Sequence, residues 1–93
     1  MVNKTDAIEI ITYAEENKIN IWIDGGWGVD ALLEEETRVH NDIDLFVEES
    51  NGRKFIEILK EKGFAEVTEA YTTTSHTVWK DSKGRIIDLH IFK

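Results

Sequence analysis

The chain contains no cysteine and no proline. Without cysteine there is no disulfide, no thiol nucleophile and no thiolate zinc site. Basic residues are scarce, with 11 Lys and Arg against 19 Asp and Glu, a net charge of −8. Such a surface repels a phosphate backbone and disfavours a nucleic-acid partner, so a phosphate ligand is expected to arrive with its own cation. Long apolar runs are missing as well. No stretch approaches the length of a membrane span, and the first residues lack the apolar core of a signal peptide, so the expected compartment is the cytoplasm. What remains is ordinary for a folded protein: 41% hydrophobic and 32% charged residues in a 93-residue chain. That length accommodates one domain with a modest core, and residues 1–93 are read as a single unit without linker or repeat.

The apolar spacing alternates between helical and extended. Ala7, Ile10, Ile11 and Ala14 lie on one helical face, with Thr5 as candidate cap and an end near Asn17. "INIWID" reads as a buried strand, Val29 to Leu33 as a short helix and "EEETRVHN" as a polar loop. "DIDLFV" is a strand with Asp42, Asp44 and Phe46 on one face and Ile43, Leu45 and Val47 on the other. Asn51 marks the start of a helix whose Phe55, Ile58 and Leu59 form an apolar stripe, and Gly63 stands where its C-terminal cap should be. "HTVWK" and "RIIDLHIF" are joined by "DSKG", the composition of a hairpin turn. Pairing Asp81 with Gly84 sets Thr77 opposite Asp88; a slip of one residue reverses the faces. The order implies an α+β, or α/β sandwich, architecture with a mixed β-sheet and flanking helices.

Two features carry chemistry. In "WIDGGWGVDALL" a glycine pair follows a strand and precedes a helix, a place where bare backbone N–H groups can meet a phosphate. It matches neither the dinucleotide fingerprint nor a P-loop, and by itself it equally describes a tight turn. In "HNDIDLF", Asp42 and Asp44 project from the same strand face. Two carboxylates this close raise each other's pKa unless a cation lies between them, and a hard ion such as Mg²⁺ resolves the conflict. The alternative is a solvent-facing polar edge, against which the flanking apolar residues argue.

Asp88 interrupts the apolar "RIIDLHIF". Burying it alone would be costly. If its strand neighbours the Asp42 and Asp44 strand, three carboxylates converge, as a two-metal phosphoryl-transfer site requires. His90 shares the face of Asp88 by alternation. It can orient a carboxylate, touch substrate or be structural; His40 and His76 stand equally open.

"GGWGVDALL", "TRVHNDIDL" and "IIDLH", in this order between about Ile19 and Phe92, resemble the nucleotidyltransferase superfamily. The likeness is to the small lincosamide and aminoglycoside nucleotidyltransferases of bacterial antibiotic resistance. It implies a polymerase-β-like palm and two Mg²⁺ ions. The implied reaction moves a nucleoside monophosphate, AMP from ATP in the simplest case, to a hydroxyl of a small molecule such as a lincosamide or aminoglycoside. Carried over by position, Gly25 and Gly26 contact the triphosphate, Asp42 and Asp44 hold the metals, and Asp88 is third ligand or general base. Arg38 matches a family arginine for phosphate contact, or is a surface charge. The chain departs from the family pattern at Glu34, Glu35 and Glu36, where a glycine usually follows "ALL". The sequence also ends five residues after Asp88, whereas these relatives continue. Lys54, Lys60 and Lys62 fall on a surface helix, and Lys80, Lys83 and Arg85 at the hairpin.

Three readings follow from the resemblance: a minimal nucleotidyltransferase that completes its site by dimerisation or with a protein partner, an antitoxin-type partner-binding module, and a shortened inactive enzyme. Exposure of Trp22, Trp27 or Trp79 would mark an interface.

Overall fold

The computed structural model describes residues 2–23 and 42–93. The expected helix at Val29 to Leu33, Glu34 to Glu36, and Trp27 lie outside them. Helix α1 spans Lys4–Glu16, β1 Ile21–Ile23, β2 Ile43–Glu48, helix α2 Glu49–Glu61, β3 Ala65–Val67, β4 His76–Lys80 and β5 Ile86–Phe92. The strands form one five-stranded sheet in the order β1-β2-β5-β4-β3. β2 and β5 run parallel, and every other pair is antiparallel. The mixed sheet of the α+β expectation is therefore present. A parallel neighbour requires a crossover, and α2 with the β3–β4 hairpin supplies it.

Period-two alternation divides the sheet into two chemically distinct faces. Ile43, Leu45 and Val47 of β2 and Ile87 and Leu89 of β5 have no exposed surface; with Ile10 and Ala14 of α1 and Phe55 and Leu59 of α2 they make the core. Full burial of side chains this size contributes about 1.5–3 kcal/mol each, which is how so small a domain offsets its chain entropy. α2 lies close to the sheet at Gly52, where a Cβ would stand 3.1 Å from Ile91 Cδ1. On β4, Thr77 and Trp79 point into the same core, and Trp79 Nε1 donates to Thr77 Oγ1 at 2.8 Å.

Local details differ from the sequence reading in three places. The cap of α1 is Asn3, whose side chain accepts from Asp6 N at 2.8 Å while Asp6 Oδ2 accepts from Asn3 N at 3.1 Å. This reciprocal box satisfies two of the open N–H groups of the first turn, and it places Thr5 inside the helix. α2 starts at Glu49 rather than Asn51. Gly63 does end it, in the left-handed region at φ +94°.

The hairpin register is the third difference. Asp81 N donates to Arg85 O at 3.2 Å and Lys80 pairs with Ile86, so Val78 rather than Thr77 faces Asp88. A three-residue loop, Ser82 to Gly84, absorbs the shift. Gly84 at φ +79° supplies the left-handed position, and Asp81 Oδ1 accepts from Lys83 N and Arg85 N at 3.0 and 2.9 Å. Among the described residues no helix is long and apolar enough to cross a membrane.

Candidate active site

Opposite the helix-covered face, β2, β5 and β4 present polar side chains in register. Parallel pairing sets Asp44 directly against Asp88 and Phe46 against His90. Antiparallel pairing sets His76 against His90 and Val78 against Asp88. β2 and β5 are interior strands, so their carboxylates stand over the middle of the sheet rather than at an edge. Asp42, one residue before β2, adds a third. One carboxylate oxygen from each of Asp42, Asp44 and Asp88 lies within 4.8 Å of the others. The structure thus brings together the three aspartates that the sequence singles out. Gly25, Gly26, Arg38 and His40 lie outside the described residues.

The histidines join this cluster. His76 Nε2 donates to Asp88 Oδ1. His90 Nε2 lies 3.5 Å from Asp44 Oδ1 and 4.0 Å from Asp88 Oδ1. Their rings stack at 4.2 Å between centroids; Phe46 covers the other face of His90 at 4.5 Å, and Tyr71 lies 5.0 Å from His76. The ladder of rings, Phe46, His90, His76 and Tyr71, limits the rotation of both imidazoles and aims their Nε2 atoms at the carboxylates. Sequence alternation found His90. It left His76 open, because the face of that residue depends on the hairpin register, which the sequence did not decide.

A cavity of about 260 Å³ opens beside Asp42 and Asp88, with Glu69, Tyr71 and Lys80 also in its wall. Partial desolvation, together with the negative charge of Asp88, Glu69, Asp42 and Asp44, pushes the Tyr71 phenol above its ordinary value of 10. Tyr71 is therefore a protonated hydrogen-bond donor at the cavity mouth throughout the neutral range. Arg85, one of the expected hairpin cations, belongs elsewhere. It is 4% exposed, with Nε 2.6 Å from Asp81 Oδ2 and Nη1 2.9 Å from Glu9 Oε2, and it ties the hairpin to α1. Trp79 is buried, whereas Trp22 is 47% exposed and packs edge-on against Phe92.

The donor set is all oxygen at Asp42, Asp44 and Asp88, the preference of a hard divalent cation. Adjacent imidazoles and a protonated phenol add hydrogen-bond donors. Such a site can hold a cation with a phosphate ester and accept a proton from a hydroxyl.

Comparison with known proteins identifies the family and the fold. The family model described as aminoglycoside-2''-adenylyltransferase matches residues 6–93. A lincosamide resistance protein of Staphylococcus haemolyticus is 30% identical over 89 residues, covering 96% of this chain and 54% of that protein. A 2''-aminoglycoside nucleotidyltransferase of Klebsiella pneumoniae is 49% identical over 37 residues, 40% of this chain and 21% of that one. Among solved structures, the lincosamide antibiotic adenylyltransferase LnuA with lincomycin bound superposes with a TM-score of 0.83 at 29% identity, over 97% of this chain and 56% of its own. ANT(2'')-Ia in complex with adenylyl-2''-tobramycin gives 0.76 at 26% identity, over 94% and 48%. The sheet and the two helices of the described residues have the nucleotidyltransferase fold of these structures. The chain spans about half the length, or less, of the relatives it matches.

Proposed function

The chain belongs to the aminoglycoside-2''-adenylyltransferase family, and from that premise we propose that it transfers a nucleoside monophosphate, AMP from ATP, to a hydroxyl of a small molecule such as a lincosamide or an aminoglycoside. One observation carries the reading: Asp44 and Asp88 stand opposite each other on parallel interior strands, with Asp42 close enough for the three to share a cation. The relatives named for lincosamide and aminoglycoside chemistry support the substrate class.

Asp42, Asp44 and Asp88 would hold Mg²⁺, two ions with a nucleoside triphosphate bound, and the metal would supply charge neutralisation at the phosphates. Asp88 would act as third ligand or as general base. As base it takes the proton of the acceptor hydroxyl while the oxygen bonds to the α-phosphorus, and the bond from that phosphorus to pyrophosphate breaks. Gly25, Gly26 and Arg38 are proposed to contact the triphosphate. With a net charge of −8, the triphosphate approaches favourably only with its cation.

The test is pyrophosphate release from ATP and Mg²⁺ with lincomycin or tobramycin as acceptor. Asp44→Asn keeps the shape of the side chain and removes its charge, so it should lower release to background while the circular dichroism spectrum is unchanged. Transfer retained by that variant would overturn the metal assignment. A second reading, a non-catalytic or partner-dependent module acting as a homodimer or with another protein, is favoured by the exposed Trp22 and Phe92, which pack against each other. It predicts binding of Mg²⁺ and ATP without release.

A further inference from the structure

Beside the three aspartates lies a second donor set of different chemistry. His76 Nε2, His90 Nε2 and a carboxylate oxygen of Asp88 are within 4.8 Å of one another. Asp44 Oδ1 is 3.5 Å from His90 Nε2 and supplies a fourth donor. We propose that His76, His90 and Asp88, with Asp44, form a binding site for a borderline divalent transition metal, of which Zn²⁺ is the type, fused to the carboxylate site through Asp88.

Three observations lead there. The first is spacing. Zn²⁺ binds imidazole nitrogen at about 2.0–2.1 Å, so two donors on a tetrahedral ion are about 3.3 Å apart. The separations of His90 Nε2 from Asp44 and Asp88, 3.5 and 4.0 Å, are near that distance. His76 Nε2, hydrogen-bonded to Asp88 Oδ1, stands closer than that, so side-chain rotation must open this pair as it closes the other two. The second is placement. The two histidines occupy directly opposed positions on paired strands beside Asp88, and their Nε2 lone pairs converge on one ion when the stacked rings, 24° apart, turn toward each other. The side chains are between 16% and 35% exposed, accessible to an ion yet partly shielded from water. The third is selectivity. Imidazole favours zinc and its neighbours, whereas the all-oxygen set favours Mg²⁺, so two adjacent positions discriminate between two classes of ion.

Asp88 belongs to both sets. Zinc bound at the histidines draws that carboxylate away from the Mg²⁺ position, and the two ions therefore compete. This competition rests on the nucleotidyl-transfer reading; the binding does not.

The experiment is a Zn²⁺ titration of the full chain followed by long-range ¹H–¹⁵N spectra of the imidazole rings, with Mg²⁺ as the comparison ion. Zn²⁺ should shift the Nε2 resonances of His76 and His90 together and place the ring proton of each on Nδ1; Mg²⁺ should move neither as a ligand would. His76→Gln retains an amide donor for Asp88 and removes the imidazole. It should melt as the parent does and bind Zn²⁺ more weakly by about tenfold or more, since even outer partners of a metal site act on that scale. Equal Zn²⁺ affinity in that variant, or a response confined to one histidine, would overturn the site and leave a hydrogen bond to Asp88 as the role of His76. Neither result depends on transfer activity, which the Asp44→Asn assay reads separately.

Discussion

Asp81 and Arg85 lie four residues apart, both under 9% exposed, across the turn that sets the register of β5. Burial works against each charge. Their mutual contact and the backbone N–H groups of Arg85 and Lys83 outweigh it, holding the Asp81 carboxyl below its ordinary 3.8 and the Arg85 guanidinium above its ordinary range. The Glu9 carboxyl, bonded by the Tyr13 hydroxyl at 2.6 Å and by Arg85, is also lowered from 4.5. A depressed carboxylate stabilises the fold above its unfolded pKa, and that stability is lost as pH falls through the folded value. Urea midpoints should therefore hold from neutrality to about pH 4.5 and fall below it, with the Asp81 part lost below 3.8. Asp81→Asn should flatten that acid limb. Arg85→Met leaves Asp81 buried without its cation and should cost about 3–5 kcal/mol in urea unfolding, a large share of what a domain of this size has.

At the scale of elements, caps and turns decide where chemistry-bearing residues land. Asn3 and Asp6 close the first turn of α1 reciprocally, and Thr5 has no part in that box. Asn3→Ala should cost about 1 kcal/mol in the urea midpoint, the usual value of a side-chain cap, whereas Thr5→Ala should change it by a few tenths. The β4–β5 turn matters more for function. Its extra residue, accommodated at Gly84, moves His76 from the core face to the face of Asp88. One residue of loop length thus determines whether Asp88 has an imidazole beside it.

For the whole molecule, the governing quantities are a net charge of −8 and a sheet that gathers three of its carboxylates at one place. A cation bound by the folded form alone stabilises it by mass action, about 2.7 kcal/mol at a hundred times its dissociation constant. MgCl₂ should raise the thermal midpoint above that in NaCl of equal ionic strength, and Asp44→Asn should remove the difference. An equal MgCl₂-over-NaCl rise in parent and variant would mean that the ion acts only by screening the acidic surface.

Much of this was legible in order and alternation. Asp42, Asp44 and Phe46 on one face, with Ile43, Leu45 and Val47 on the other, follow from the period of a strand and its pattern of polarity. Gly63 as the end of α2 follows from the left-handed conformation that other residues resist. A charge at position 88 within an apolar strand marks a site, because it needs a partner. That β2 and β5 are parallel neighbours is not local information: strand adjacency is decided by which faces α1 and α2 can cover together. His76 was hidden for the same reason, since its partner lies across a turn whose length, rather than its composition, sets the register. Composition and alternation determined which groups must leave water and which must find a counter-charge; the tertiary structure decided which of them meet, because only packing of the whole sheet brings residues 42, 44, 76, 88 and 90 to one point.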